Sequence, residues 1–112
     1  MEKLMKGDVV VLPFPFSDLS ASKKRPALIV AMLQGDDIIL CQITSAARSD
    51  NYSISLNNND FKQGKLDVES MIRPNRLFTA DKSIVLYKVG SLDNNKIKEV
   101  EKNIVNIITK NS

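Results

Sequence analysis

Apolar residues in this chain come in short runs broken by glycine, proline and small polar clusters, the punctuation of a small all-β barrel. Val9-Val10-Val11-Leu12 follows Gly7-Asp8 and is expected to form a strand ending at Pro13-Phe14-Pro15-Phe16, where two prolines remove donors that a central strand needs. Residues 17–24 are small, polar and basic and read as a surface loop. Residues 27–32 predict a second strand and residues 38–44 a third, joined as a hairpin through Gln34-Gly35-Asp36-Asp37.

The pattern weakens over residues 46–66. Residues 52–56 alternate with period two and predict a short strand, followed by a loop that contains Phe61 and Gly64. Residues 68–78 are extended in character but carry Pro74, which predicts an edge strand, a bulge or two short strands; if the strand is regular, Glu69, Met71 and Arg73 share a face. Residues 83–90 predict a further strand stopped by Gly90. The period then changes. Ile97, Val100, Ile104, Ile107 and Ile108 recur at steps of three and four, with Lys98, Glu99, Glu101 and Lys102 on the other side, so the C-terminus predicts one amphipathic helix capped by Asp93 or Ser91. Its apolar stripe reads as packing on the barrel or as an interface. The expected fold class is mostly β (α+β), a small barrel with a C-terminal helix, in one domain over residues 1–112.

Composition removes more chemistry than it adds. The chain has no histidine and a single cysteine, Cys41, which excludes the usual zinc sites, histidine-based nucleophile systems and any intrachain disulfide. Its four glycines, at 7, 35, 64 and 90, form no phosphate-cradling loop, and Asp36-Asp37 fits a hairpin turn better than a metal site. No cofactor and no metal are expected. No run approaches a membrane span and the N-terminus lacks a signal-peptide core, so a soluble, cytoplasmic protein is expected. A net charge of +3 permits an anionic partner without requiring one.

Candidate chemistry begins at Arg25-Pro26, which closes the basic run Lys23-Lys24-Arg25, read together with Ile43-Thr44-Ser45. An arginine and two hydroxyls at the ends of successive strands can converge on one phosphate, and a planar, permanently charged guanidinium stabilises a phosphorane without moving a proton. The same residues also fit a charged turn ahead of a strand. Phe14 and Phe16 offer faces on which unpaired bases could stack, although phenylalanines are more often buried; Arg48 and Arg76 could follow a phosphate backbone or simply be solvated.

Taken in order, Gly7-Asp8-Val9-Val10, Lys24-Arg25-Pro26-Ala27-Leu28-Ile29-Val30, Ile43-Thr44-Ser45, Leu77-Phe78-Thr79-Ala80-Asp81-Lys82-Ser83 and Val89-Gly90-Ser91-Leu92 resemble the MazF/PemK/Kid toxins of type II toxin-antitoxin systems. The resemblance implies an SH3-like β-barrel, a homodimer, metal-independent cleavage of single-stranded RNA to a 2′,3′-cyclic phosphate, and inhibition by an acidic antitoxin. It places Arg25, Thr44, Ser45 and Arg73 in the catalytic set, and Lys23, Lys24, Phe16, Asn75, Arg76 and Arg48 are candidates for RNA contact. Where one branch of the family has an acidic residue two positions beyond the second arginine, this chain has Asn75, which can hydrogen-bond but cannot carry a proton. The proton acceptor for the ribose hydroxyl therefore has no obvious owner; Glu69 and Asp18 are candidates. The alternative functions are a catalytically degenerate nucleic-acid-binding barrel and a protein-targeting toxin of the gyrase-poisoning kind, in which the helix carries function.

Overall fold

The computed structural model describes residues 3–14, 23–46 and 50–110. Seven strands, β1 (Asp8–Phe14), β2 (Lys23–Met32), β3 (Asp37–Ser45), β4 (Ile54–Leu56), β5 (Phe61–Gly64), β6 (Ser70–Asp81) and β7 (Tyr87–Leu92), precede a helix, α1 (Asn94–Thr109). The strands form one sheet in the order β4-β6-β3-β2-β1-β7-β5, and every pairing is antiparallel. This is the mostly β architecture expected, a curled antiparallel half-barrel with one C-terminal helix.

The unbroken apolar runs of β1 and β3 follow from burial on both faces of the sheet. Val10, Leu12, Ala27, Ile29, Ile38 and Leu40 fill a core on one face, closed by the edge-on ring pair Phe14–Phe78 with centroids 5.1 Å apart. Val9, Leu28, Cys41, Ile43, Ile72 and Leu92 fill the opposite face, where Val100 of α1 covers them. Asp93 caps the helix, its side chain accepting from the Lys96 backbone N–H at 2.8 Å. The expected stripe holds through Ile97, Val100, Ile104 and Ile107, whereas Ile108 is 69% exposed at the last turn. Burial pushes the Cys41 thiol up to about 12, so it stays protonated and chemically quiet at neutral pH. No helix among the described residues is long and apolar enough to cross a membrane.

Several strands run further than the sequence pattern implies. Pro13 and Phe14 remain paired with β2, and Pro13 is tolerated because the pairing of β1 with β7 has already ended at Val11. Pro26 likewise sits one residue beyond the last β2–β3 pair, Ala27 with Gln42. β6 is not an edge strand: β3 and β4 both pair with it, and Pro74, Asn75 and Arg76 bulge out between the consecutive pairs Gln42–Arg73 and Cys41–Leu77. Residues 83–90 do not form one strand, because Lys82–Ile84 make a 3-10 turn capped by Asp81. Phe61 and Gly64, expected in a loop, belong to β5, which pairs with β7.

That last pairing explains why Gly90 continues a strand instead of stopping it. Gly64 and Gly90 face each other, and a Cβ on Gly64 would lie 2.2 Å from the Val89 carbonyl oxygen. Gly64 also has φ +81°, a conformation that side chains disfavour. Gly64→Ala is expected to cost roughly 2–4 kcal/mol through clash and backbone strain together, read as a lower urea midpoint at unchanged slope.

Candidate functional site

Strand register assembles the site. Ala27 pairs with Gln42, the last pair of β2 with β3, and alternation puts Arg25 and Thr44, two residues further along their strands, on the face those two share. On the other side of β3, Thr44 pairs with Met71 and Gln42 with Arg73. Residues paired across strands share a face, so Arg25, Thr44 and Arg73 lie on one side of the sheet, with Arg73 a diagonal neighbour of Thr44 at roughly 7–8 Å.

Where β2 begins and β3 ends, a cleft of about 520 Å³ opens, lined among others by Lys24, Arg25, Thr44, Ser45, Lys65, Asp67 and Tyr87. It brings Lys24 and Arg25 together with the Thr44-Ser45 pair despite their separation in sequence. The two hydroxyls are not equivalent: alternation turns them to opposite faces, Ser45 being exposed while Thr44 is buried with its Oγ1 donating to the Ser45 carbonyl oxygen at 3.2 Å. The lining named here holds three cationic side chains, Lys24, Arg25 and Lys65, against one carboxylate, Asp67, a balance suited to a polyanion.

Arg73 and Asn75 are not among the residues lining the cleft; both turn to Asp50. The Arg73 guanidinium donates to Asp50 Oδ2 at 2.6 Å, and the Asn75 amide lies 3.5 Å from the same oxygen. The other carboxylate oxygen, Oδ1, accepts from the Tyr52 backbone N–H at 2.9 Å and from the Ser53 hydroxyl at 3.0 Å. The Arg73 hydrogen bond, aided by those from Tyr52 and Ser53, holds the Asp50 carboxyl down at about 2. Arg73 Nε is buried and has no hydrogen-bond partner among the described residues.

The remaining candidates scatter. Lys23 and Arg76 are exposed and outside the cleft lining, and Phe14 is buried against Phe78 with no free face for a base. Glu69 is exposed ahead of β6, its carbonyl accepting from the Ala46 N–H at 3.2 Å, and is not among the lining residues. Phe16, Arg48 and Asp18 lie outside the described residues, as does most of the 17–24 segment read as a loop. Nothing in the sequence marks Lys65, Asp67 or Tyr87. They reach the cleft only because β5 pairs with β7 and β6 starts beside β3, long-range pairings with no local signature.

A family model described as PemK-like, MazF-like toxin of type II toxin-antitoxin system matches residues 5–108, and the chain belongs to that family. A search of curated proteins finds no match. Among solved structures, MazF from Deinococcus radiodurans is 17% identical, with 98% of this chain and 100% of that one covered and a TM-score of 0.75. The Mycobacterium tuberculosis toxin MazF-mt6 is 15% identical, with 94% and 99% covered and a TM-score of 0.70. An endoribonuclease from a Mycobacterial species, solved in complex with its cognate antitoxin, is 11% identical, with 98% and 99% covered and a TM-score of 0.75. At these identities the likeness is one of fold.

The depressed Asp50 carboxyl gives a pH expectation. Its folded value of about 2 lies below the ordinary 3.8, so its contribution to stability is fully present above 3.8 and is lost as pH falls through 2. Carboxyl-carbon NMR should find Asp50 titrating near 2 in the wild type and returning toward 3.8 in Arg73→Ala.

Proposed function

We propose that the chain is the toxin of a type II toxin-antitoxin pair and acts as an endoribonuclease on single-stranded RNA, without a metal ion. The observation that carries this reading is the convergence of Arg25, Thr44 and Ser45, from two separate strands, in one cationic cleft. A phosphodiester seated there would meet the Arg25 guanidinium, which can hold two of its oxygens, and the exposed Ser45 hydroxyl as a further donor. The ribose 2′-oxygen attacks the adjacent phosphorus and the 5′-oxygen leaves, giving a 2′,3′-cyclic phosphate and a free 5′-hydroxyl; the 2′-hydroxyl loses the proton and the departing oxygen gains one. The site contributes chiefly in-line positioning and stabilisation of charge on the phosphorane. This reading assigns the 2′-hydroxyl proton to Asp67, the one carboxylate among the described lining residues.

Unpaired RNA suits the cleft because its bases can splay onto an exposed ring, and Tyr87, 57% exposed, supplies one at the rim. In this reading the natural inhibitor is an acidic antitoxin segment that ties up Lys24, Arg25 and Lys65. The active form is a homodimer.

A second reading, a barrel that binds RNA without cutting it, draws on Asn75, which cannot move a proton. One experiment separates the two: incubation of a labelled, unstructured RNA with wild type and Arg25→Ala in excess chelator. The nuclease reading expects cleavage by wild type and a loss of roughly 10²- to 10³-fold in the variant. Binding by wild type without any cut product supports the second reading, and cleavage unaffected by Arg25→Ala overturns the role given to Arg25.

A further inference from the structure

The contact between Asp50 and Arg73 spans two segments far apart in the chain, and its geometry is specific. Asp50 precedes β4, in a turn it builds itself: its backbone N–H donates to the Ser53 hydroxyl at 2.9 Å, and its Oδ1 accepts from both Tyr52 N–H and Ser53 Oγ. Those bonds fix the plane of the carboxylate independently of Arg73. The second oxygen, Oδ2, is thereby aimed at β6, where it takes the Arg73 guanidinium at 2.6 Å with the Asn75 amide beside it at 3.5 Å. The arginine is largely enclosed, with 16% of its side chain exposed, and Asp50 is the sole hydrogen-bond or ion-pair partner of that side chain among the described residues. A flexible side chain with one rigid anchor and a buried, unpartnered Nε has its orientation decided by that anchor.

Resting on the nuclease reading, we propose that Asp50 is a positioning residue of this site: its carboxylate, locked by Tyr52 and Ser53, sets the Arg73 guanidinium on the sheet face that carries Thr44 and Arg25, where it reinforces the charge presented to the scissile phosphate. Arg73 stands diagonal to Thr44 across β3 and β6, within reach of a long side chain. Held down at about 2, Asp50 is ionised at neutral pH and so orients without exchanging a proton. The same geometry says where else the charge could sit. Asn75 shares the Oδ2 contact, so a carboxylate at position 75 would fall beside the same guanidinium.

The test is a charge relocation. Wild type, Asp50→Asn, Asn75→Asp and the double variant Asp50→Asn/Asn75→Asp are compared on a labelled unstructured RNA, with kcat and KM determined separately and folding followed by thermal melting. An Asn75→Asp single variant faster than wild type overturns orientation as the cause of any rescue. Asp50→Asn keeps the Oδ1 acceptor and the side-chain shape while removing the charge. The expected result is a kcat roughly 10- to 100-fold lower with KM within about threefold, a melting temperature within a few degrees of wild type, and recovery of about tenfold or more in the double variant. The bell or plateau of the kcat–pH profile keeps its pKa values, because Asp50 orients and does not shuttle a proton. Wild-type turnover in Asp50→Asn overturns the inference alone, as do a double variant no faster than Asp50→Asn and a single variant without a folding transition, which would make Asp50 a folding residue. Wild-type protein that leaves the RNA intact overturns the nuclease reading, and this inference with it.

Discussion

Everything at the site depends on the register of β3. Its side chains serve both cores in alternation, Ile38 and Leu40 on one face, Cys41 and Ile43 on the other, so neither face can change without loss of burial. A slip of one residue would exchange Ile43 for Thr44 beneath the helix and turn Leu40 to the wrong side. Burial that stabilises the sheet therefore also fixes where Thr44 stands between β2 and β6. The cleft needs no dedicated scaffold; it opens at the strand ends that the two cores leave uncovered.

The two arginines on this face are in different electrostatic situations. Arg73 is balanced by a carboxylate held in place by a local turn, which makes its position reproducible at the expense of some of its reach toward an incoming anion. Arg25 lies in a cleft whose lining is positive on balance. A polyanion meeting this surface would be drawn in by the cleft, with an affinity that falls as salt rises, while the Arg73 pair, partly shielded from solvent, changes little.

Much of this was legible in the sequence. The β-rich class, the β2–β3 hairpin and the capped C-terminal helix follow from patterns of a few adjacent residues, and the hairpin in turn carries Arg25 toward Thr44-Ser45. What escaped the sequence depends on contacts between distant segments. Pro13 reads as a strand breaker, yet it sits at a point where the pairing of β1 with β7 has already ended. Phe61-Lys62-Gln63-Gly64 has no alternation to mark it as a strand, since its half-buried and exposed positions are set by β7. Asp50 carried no motif, because its significance lies in a contact with Arg73 made across the fold.

The two borders of the sheet are its shortest strands, β4 with 3 residues and β5 with 4. β5 is mostly solvent-facing, carries Lys62 and closes on the left-handed Gly64. Such borders give another chain little backbone to zip onto, and a charged side chain on one of them discourages it further. A fold with so much extended backbone is thereby guarded against edge-to-edge aggregation, and association between copies is left to side-chain surfaces, where partner and geometry can be chosen.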